Sequence, residues 1–206
     1  MRAPVSPNLA KILFAVVAAA LACGVVLVAR AVHPDKAAAP VASGAAAIGG
    51  PFRLIDQTGH LVDQRVLQGK WSAVFFGYTF CPDFCPTNLQ TLARAQDALG
   101  SQAKDFQVVF VSIDPARDTP ATLKTYLSNQ GFPKDAIGLT GSAAEVAQAA
   151  KAYRVYYARS GTGSDYVIDH STLTYLMDPR GRFATVLHAG ATPDEIAREI
   201  RAAMQG

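Results

Sequence analysis

The chain has 206 residues and is 50% hydrophobic, enough for one folded domain with additional segments. Its formal net charge is +3, from 19 basic and 16 acidic side chains, and residues 1–36 hold four of the basic groups and one of the acidic groups. The other 170 residues therefore have a net charge of zero, with 15 charges of each sign and no block of Lys and Arg. This distribution excludes the basic surface that a nucleic-acid-binding protein needs.

An uncharged apolar segment near the amino terminus, ILFAVVAAALACGVVLVA (12–29), lies between Lys11 and Arg30. As a helix it would be about 27 Å long, close to the hydrocarbon thickness of a bilayer, about 30 Å. We therefore predict a transmembrane anchor over residues 12–29. A cleaved signal peptide is the alternative, although its apolar region is usually only about 7–15 residues long.

Basic groups before the predicted anchor slightly outweigh those after it, because the free amino terminus adds to Arg2 and Lys11. The positive-inside rule then predicts residues 1–11 in the cytoplasm and the rest of the chain on the other side of the membrane. No Arg- and Ser-rich transit peptide is evident, which favours a bacterial inner membrane with a periplasmic domain over a mitochondrial location. Small residues dominate the next segment, so we predict a flexible linker over 30–47 and a folded domain over 48–206.

Within the predicted domain, apolar β-branched runs alternate with amphipathic segments. The predicted strands cover residues 71–80, 106–113, 136–140, 153–157, 166–168, 173–177 and 183–188. The predicted helices cover residues 87–99, 119–130 and 143–155, and a last helix begins at Thr192-Pro193. This order of elements predicts an α/β sandwich in which helices flank a mixed sheet.

Two of the three cysteines, Cys81 and Cys85, lie in FFGYTFCPDFCPTNL, between a predicted central strand and a predicted helix. Sites in α/β proteins are built at such strand ends, and a helix N-terminus lowers the pKa of a nearby thiol. Pro86 suits a first helical turn, so the loop 81–85 is predicted to precede the regular helix. A structural disulfide closing so small a ring would add little stability. A redox couple and a pair of sulfur ligands for a metal both remain open.

A metal site would need a further ligand, and thiolate with imidazole suits Cu(I), Cu(II) or Zn(II). The chain has four histidines. His33 follows the predicted anchor, His60 lies in a predicted turn, and His188 ends a predicted strand. His170, in YVIDHSTLTYL, interrupts strand-like sequence, where a loop or bulge could present its ring. A lone histidine in such a position is more often structural than a ligand.

Three segments, FGYTFCPDFCP (76–86), VSIDPARDTP (111–120) and IDHSTLTYLMDPRGRF (168–183), closely resemble the SCO/SenC proteins and occur in the same order. The resemblance covers roughly residues 48–203. That family consists of membrane-tethered copper chaperones with a thioredoxin fold, which serve assembly of the CuA centre of cytochrome c oxidase. The resemblance therefore implies a thioredoxin-like α/β fold, and it matches Cys81, Cys85 and His170 to the family's copper ligands.

The resemblance also implies a function and partners. We expect a metallochaperone, rather than an enzyme, that binds Cu(I) or Cu(II) and delivers copper to the CuA-bearing subunit of the oxidase. A copper-donating chaperone would load it. The alternative is a thiol–disulfide reductase that uses Cys81 and Cys85 to keep the cysteines of the oxidase copper site reduced. Thioredoxins have a proline where this chain has Ser171 before Thr172-Leu173, which argues against an ordinary reductase.

Two further features near the motifs, Asp83 and the loop 114–118, each have two possible roles. Asp83, between the cysteines, is expected either to tune copper affinity or to cap the helix that follows. The loop from Asp114 to Asp118 could meet a partner protein. We expect it instead to be mainly structural, with Arg117 and Asp118 bracing the loop and the helix.

Overall fold

The computed structural model describes residues 48–206, so the predicted anchor over 12–29 and the predicted linker over 30–47 lie outside the described residues. None of the helices within 48–206 is long and apolar enough to cross a membrane.

The described residues form two β-sheets. The strands are β1 (Arg53–Asp56), β2 (Leu61–Asp63), β3 (Trp71–Gly77), β4 (Phe106–Ser112), β5 (Ile137–Thr140), β6 (Tyr157–Ser160), β7 (Val167–His170), β8 (Thr174–Met177) and β9 (Phe183–Leu187). Seven of them form a mixed sheet in the order β2-β1-β5-β4-β3-β8-β9, in which β3, β4 and β5 run parallel. The other two, β6 and β7, form an antiparallel hairpin of their own, which is not hydrogen-bonded into the main sheet.

Helices cover both faces of the main sheet. They are α1 (Phe84–Ala98), α2 (Pro120–Leu127), α3 (Ala143–Ala152) and α4 (Pro193–Gln205). Side chains of α1, α2 and α4 pack with Phe75 of β3 and Phe110 of β4 on one face, whereas those of α3 pack with Phe76 and Val109 on the other. Alternate residues of a strand point to opposite faces, so a central strand covered on both faces must be apolar throughout.

This architecture confirms the predicted mixed sheet flanked by helices. The sequence-based prediction missed β1 and β2, whose four and three residues carry no long apolar run. The helix starts are set by caps: Ser142 and Thr192 each form a capping box with the glutamate three residues later, and Thr119 accepts a hydrogen bond from the Thr122 N–H.

The predicted start of the first helix is wrong. The helix begins at Phe84, so Cys85 lies in its first turn and only Cys81 lies in the preceding loop. Pro86 permits this arrangement because the first N–H groups of a helix need no intrahelical partner. Likewise, His170 is the last residue of β7, paired with Tyr157, rather than part of a loop or bulge.

Candidate metal centre

Three elements bring together the two cysteines and one of the histidines. Cys81 follows the carboxyl end of β3, Cys85 belongs to the first turn of α1, and His170 ends β7. One ligand atom from each of these side chains lies within 4.8 Å of the other two. Within residues 48–206, this is a cluster of His, Cys, Asp or Glu side chains close enough to hold a metal ion.

The three side chains differ in their access to solvent. Cys85 is fully buried, whereas Cys81 and His170 are partly exposed. The Cys85 Sγ lies 3.9 Å from the His170 Nε2, and the Cys85 main-chain N–H donates to the Cys81 Sγ at 3.4 Å. The cluster therefore has a buried side, formed by Cys85, and an open side, formed by the other two residues.

The orientation of the His170 ring leaves the metal-binding nitrogen free. Its Nδ1 lies 2.8 Å from the main-chain oxygen of Ser171, which can only accept a hydrogen bond. Nδ1 must therefore carry a proton, and Nε2 is the ring nitrogen that faces the thiols. Fixing one ring nitrogen in this way is how proteins orient a histidine for metal binding.

Aromatic side chains surround the imidazole. The ring centroids of Phe75, Tyr78 and Phe84 lie 6.4, 6.0 and 6.4 Å from that of His170. The Tyr78 hydroxyl also accepts a hydrogen bond from the Ile168 N–H, which ties β7 to the end of β3. These rings limit the rotation of the imidazole and lower the local dielectric constant.

The pKa values of the two thiols are shifted in opposite directions. The hydrogen bond from the Cys85 thiol, helped by the His170 ring and by the main-chain N–H groups of Cys85 and Asp83, lowers the pKa of Cys81 to about 4 although burial opposes the shift. The same sulfur–sulfur contact, together with burial, raises the pKa of Cys85. In the reduced chain Cys81 is therefore the thiolate and Cys85 the thiol that hydrogen-bonds to it.

Gly77 allows the buried thiol to approach the sheet. A Cβ atom added at this last residue of β3 would lie 2.8 Å from the Cys85 Sγ and 2.9 Å from the Phe110 ring. Both distances are too short for any side chain, so only glycine lets the start of α1 pack this closely on β3. The sequence gives no sign of this requirement, because the contact depends on the packing of α1.

A buried carboxylate holds the start of the cysteine loop. Asp118 accepts hydrogen bonds from the main-chain N–H and the hydroxyl of Thr79, at 3.0 and 2.6 Å, and from the Ser112 hydroxyl at 2.6 Å. Thr79 lies two residues before Cys81, so this contact attaches the loop to the end of β4. The expected bracing role of Asp118 is confirmed.

The remaining candidate residues lie outside the cluster. Asp83 is exposed at the N-cap of α1 but makes no side-chain capping bond, and its Oδ1 accepts a long hydrogen bond, 3.4 Å, from the Thr87 hydroxyl. His60 lies in an exposed turn beside Thr58, and His188 pairs with Glu199 on the surface. His33 lies outside the described residues. A role of Asp83 in tuning copper affinity stays a prediction.

Comparison with known proteins identifies similar chains. The model of the SCO1/SenC family matches residues 40–205. Protein SenC of Rhodobacter capsulatus is 44% identical over 159 residues, which are 77% of this chain and 71% of that protein.

Two solved structures are also similar to this one. Bradyrhizobium japonicum ScoI with copper bound has a TM-score of 0.70 and 45% sequence identity, and the match covers 76% of this chain and 99% of that one. BsSco, described as a member of the Sco family of cytochrome c oxidase assembly proteins with a disulfide switch, has a TM-score of 0.62 and 26% identity, covering 76% and 94%.

The lowered pKa of Cys81 predicts a characteristic pH profile of alkylation. In the reduced, metal-free chain the thiolate is already formed, so iodoacetamide should label Cys81 at nearly the same rate between about pH 6 and pH 8. Cys85→Ala removes the main cause of the pKa shift. In this variant the labelling rate of Cys81 should therefore rise with pH over that range, by up to about tenfold per pH unit. Mass spectrometry of the Cys81 peptide gives both rates. A steep rise in the unmutated chain would contradict the assignment.

Proposed function

This chain belongs to the SCO1/SenC family, and from that premise we propose that it is a copper-binding metallochaperone acting in the assembly of cytochrome c oxidase. We assign Cys81, Cys85 and His170 as its copper ligands. The observation that carries the proposal is the convergence of two cysteine sulfurs and an imidazole nitrogen, all within 4.8 Å of one another. The copper bound to ScoI, at 45% identity, supports the choice of metal.

The donor set suits copper in both oxidation states. Two sulfurs and one imidazole provide three-coordinate binding for Cu(I), while Cu(II) would take a further ligand from solvent or an oxygen donor. Both thiols must lose their protons, so metal binding would release the proton that Cys85 holds in the metal-free chain.

The difference in exposure fits transfer of copper to another protein. Thiolates of an acceptor can approach from the open side, where they would displace His170 and Cys81 before the buried Cys85. We propose the CuA-bearing subunit of the oxidase as the acceptor and a copper-donating chaperone as the source. The description of BsSco as an oxidase assembly protein supports an oxidase subunit as the partner.

A thiol–disulfide reductase is the second candidate, favoured by the acidity of Cys81. A thiolate beside a protonated thiol is the arrangement with which dithiol proteins attack a disulfide and then resolve the mixed disulfide. The same cysteine pair must be reduced before it can bind metal, so the two activities would be mutually exclusive on one molecule at one time.

Copper titration of the full chain in detergent tests the first proposal. We expect about one Cu(I) per reduced chain, and His170→Ala should weaken the affinity more than about tenfold, or 1.4 kcal/mol, because a ligand is lost. His188→Ala is the matched control and should bind like the unmutated chain, since that ring lies on the surface beside Glu199.

The two candidates give different outcomes. Under the chaperone proposal, the His170→Ala chain still forms the Cys81–Cys85 disulfide although its copper affinity is reduced. Full copper affinity in that variant would refute the histidine assignment. Rapid turnover of a model disulfide with a reductant, in a chain that binds no copper, would favour the reductase instead.

For the location, we propose that residues 12–29 anchor the chain in a bacterial inner membrane and that residues 48–206 lie in the periplasm. A reporter enzyme fused after Gly206 should then be active only if it matures outside the cytoplasm. Alkaline phosphatase, which needs disulfides, should be active in this fusion, and green fluorescent protein exported by the same route should not fluoresce. The reverse pattern would contradict the orientation.

A further inference from the structure

Arg117 lies between the thiol half and the imidazole half of the candidate metal centre. Its guanidinium carbon is 4.6 Å from the centroid of the Phe80 ring and 3.6 Å from that of Tyr166. Phe80 immediately precedes Cys81, and Tyr166 immediately precedes β7, the strand that ends with His170. A single side chain therefore contacts both segments that supply ligands.

Polar contacts fix the guanidinium in this position. Its Nε donates to Asp114 Oδ2, and its Nη1 donates to the main-chain oxygens of Tyr166 and Ser164 at 3.1 and 3.3 Å. The Tyr166 hydroxyl donates to the other oxygen of the same carboxylate, Asp114 Oδ1. Because Asp114 is only 3% exposed and Arg117 is largely buried, the whole group is held rigidly against the sheet.

The hairpin that carries His170 needs such a tie. β6 and β7 pair only with each other, so no backbone hydrogen bond to the seven-stranded sheet sets the distance between His170 and the cysteines. The segment joining the two strands is exposed and contains Gly161 and Gly163, both with positive φ, so it adds little rigidity. Besides the three-residue link 171–173 to β8 and the Ile168–Tyr78 hydrogen bond, the position of the imidazole therefore depends on side-chain contacts such as those of Arg117.

We propose that Arg117 is a positioning residue for copper binding: it holds the His170 hairpin at bonding distance from Cys81 and Cys85. Asp118, the next residue, anchors Thr79 on the cysteine side, so the loop 114–118 is attached to both halves of the centre. This inference rests on the proposed function. It assigns a role in ligand geometry to a residue that touches no ligand atom.

A double-mutant cycle separates positioning from general stabilisation. The full chain in detergent is prepared unmutated, as Arg117→Gln, as His170→Ala and as the double variant, and Cu(I) affinity is measured by competition with a chromophoric chelator. Arg117→Gln should weaken binding by about 10- to 100-fold, the usual effect of losing a group that orients a metal ligand. In the His170→Ala background the same change should alter affinity by less than about twofold, because no imidazole remains to be positioned.

Three further variants provide two controls and a second test of the same contact. Arg159 also stacks on the Tyr166 ring but does not contact Phe80. The Arg159→Gln variant should therefore bind copper like the unmutated chain. Phe80→Ala interrupts the contact from the cysteine side; as Phe80 is 58% exposed, this variant should fold even if Arg117→Gln does not. It should weaken binding in the same direction, and Leu61→Ala, equally exposed in β2, should not.

The outcomes distinguish failure of the positioning role of Arg117 from failure of the proposed function. Normal affinity in Arg117→Gln and Phe80→Ala, or an equal loss with and without His170, would overturn the positioning role and leave the proposed function standing. If the unmutated chain binds no copper, the proposed function fails and the inference fails with it; if His170→Ala binds as tightly as the unmutated chain, the histidine assignment and the positioning role both fail.

Discussion

The imidazole of His170 reaches the two thiols although 85 residues separate it from Cys85 along the chain, and the chemistry of this molecule depends on that contact. The thiols are placed by the main sheet, because Cys81 lies in the loop that directly follows β3 and Cys85 packs on Gly77, the last residue of that strand. The imidazole is placed by a hairpin outside that sheet. The centre is therefore a junction between a rigid half and a half held by side chains. On the proposed function, such a junction would let three ligands converge on a copper ion and would still let one of them leave.

The surroundings of the three side chains differ, and so do their protonation and orientation. The neighbouring Cys81 sulfur and burial raise the pKa of Cys85 and keep its proton in place, whereas the lowered pKa of Cys81 makes it a thiolate before any metal arrives. The carbonyl of Ser171 accepts a hydrogen bond from Nδ1 of His170, so Nε2 is the ring nitrogen that faces the thiols. On the proposed function, an ion entering from the open side would meet the Cys81 thiolate and the imidazole first, and it would displace the Cys85 proton when it reaches the buried sulfur.

Much of the fold could be predicted from the sequence, because long apolar runs and helix caps act locally. The strands around Phe75 and Phe110 follow from such runs, and Ser142 and Thr192 mark helix starts that the structure confirms. The short strands β1 and β2 were missed because they carry no such run. The meeting of His170 with the cysteines could be expected only from the resemblance to the SCO/SenC family, since nothing in the spacing predicts it. The roles of Gly77 and Arg117 could not be predicted, because each depends on a side chain from a distant segment.

The central claim is that two sulfurs and one imidazole nitrogen share one copper ion. X-ray absorption spectroscopy at the copper K-edge, on the full chain loaded with Cu(I), measures that ligand shell directly. The account predicts two sulfur neighbours and one nitrogen neighbour, with the outer-shell scattering of a single imidazole ring, and loss of that scattering in His170→Ala. A shell of sulfur alone, or an imidazole signal that persists in the variant, would contradict it.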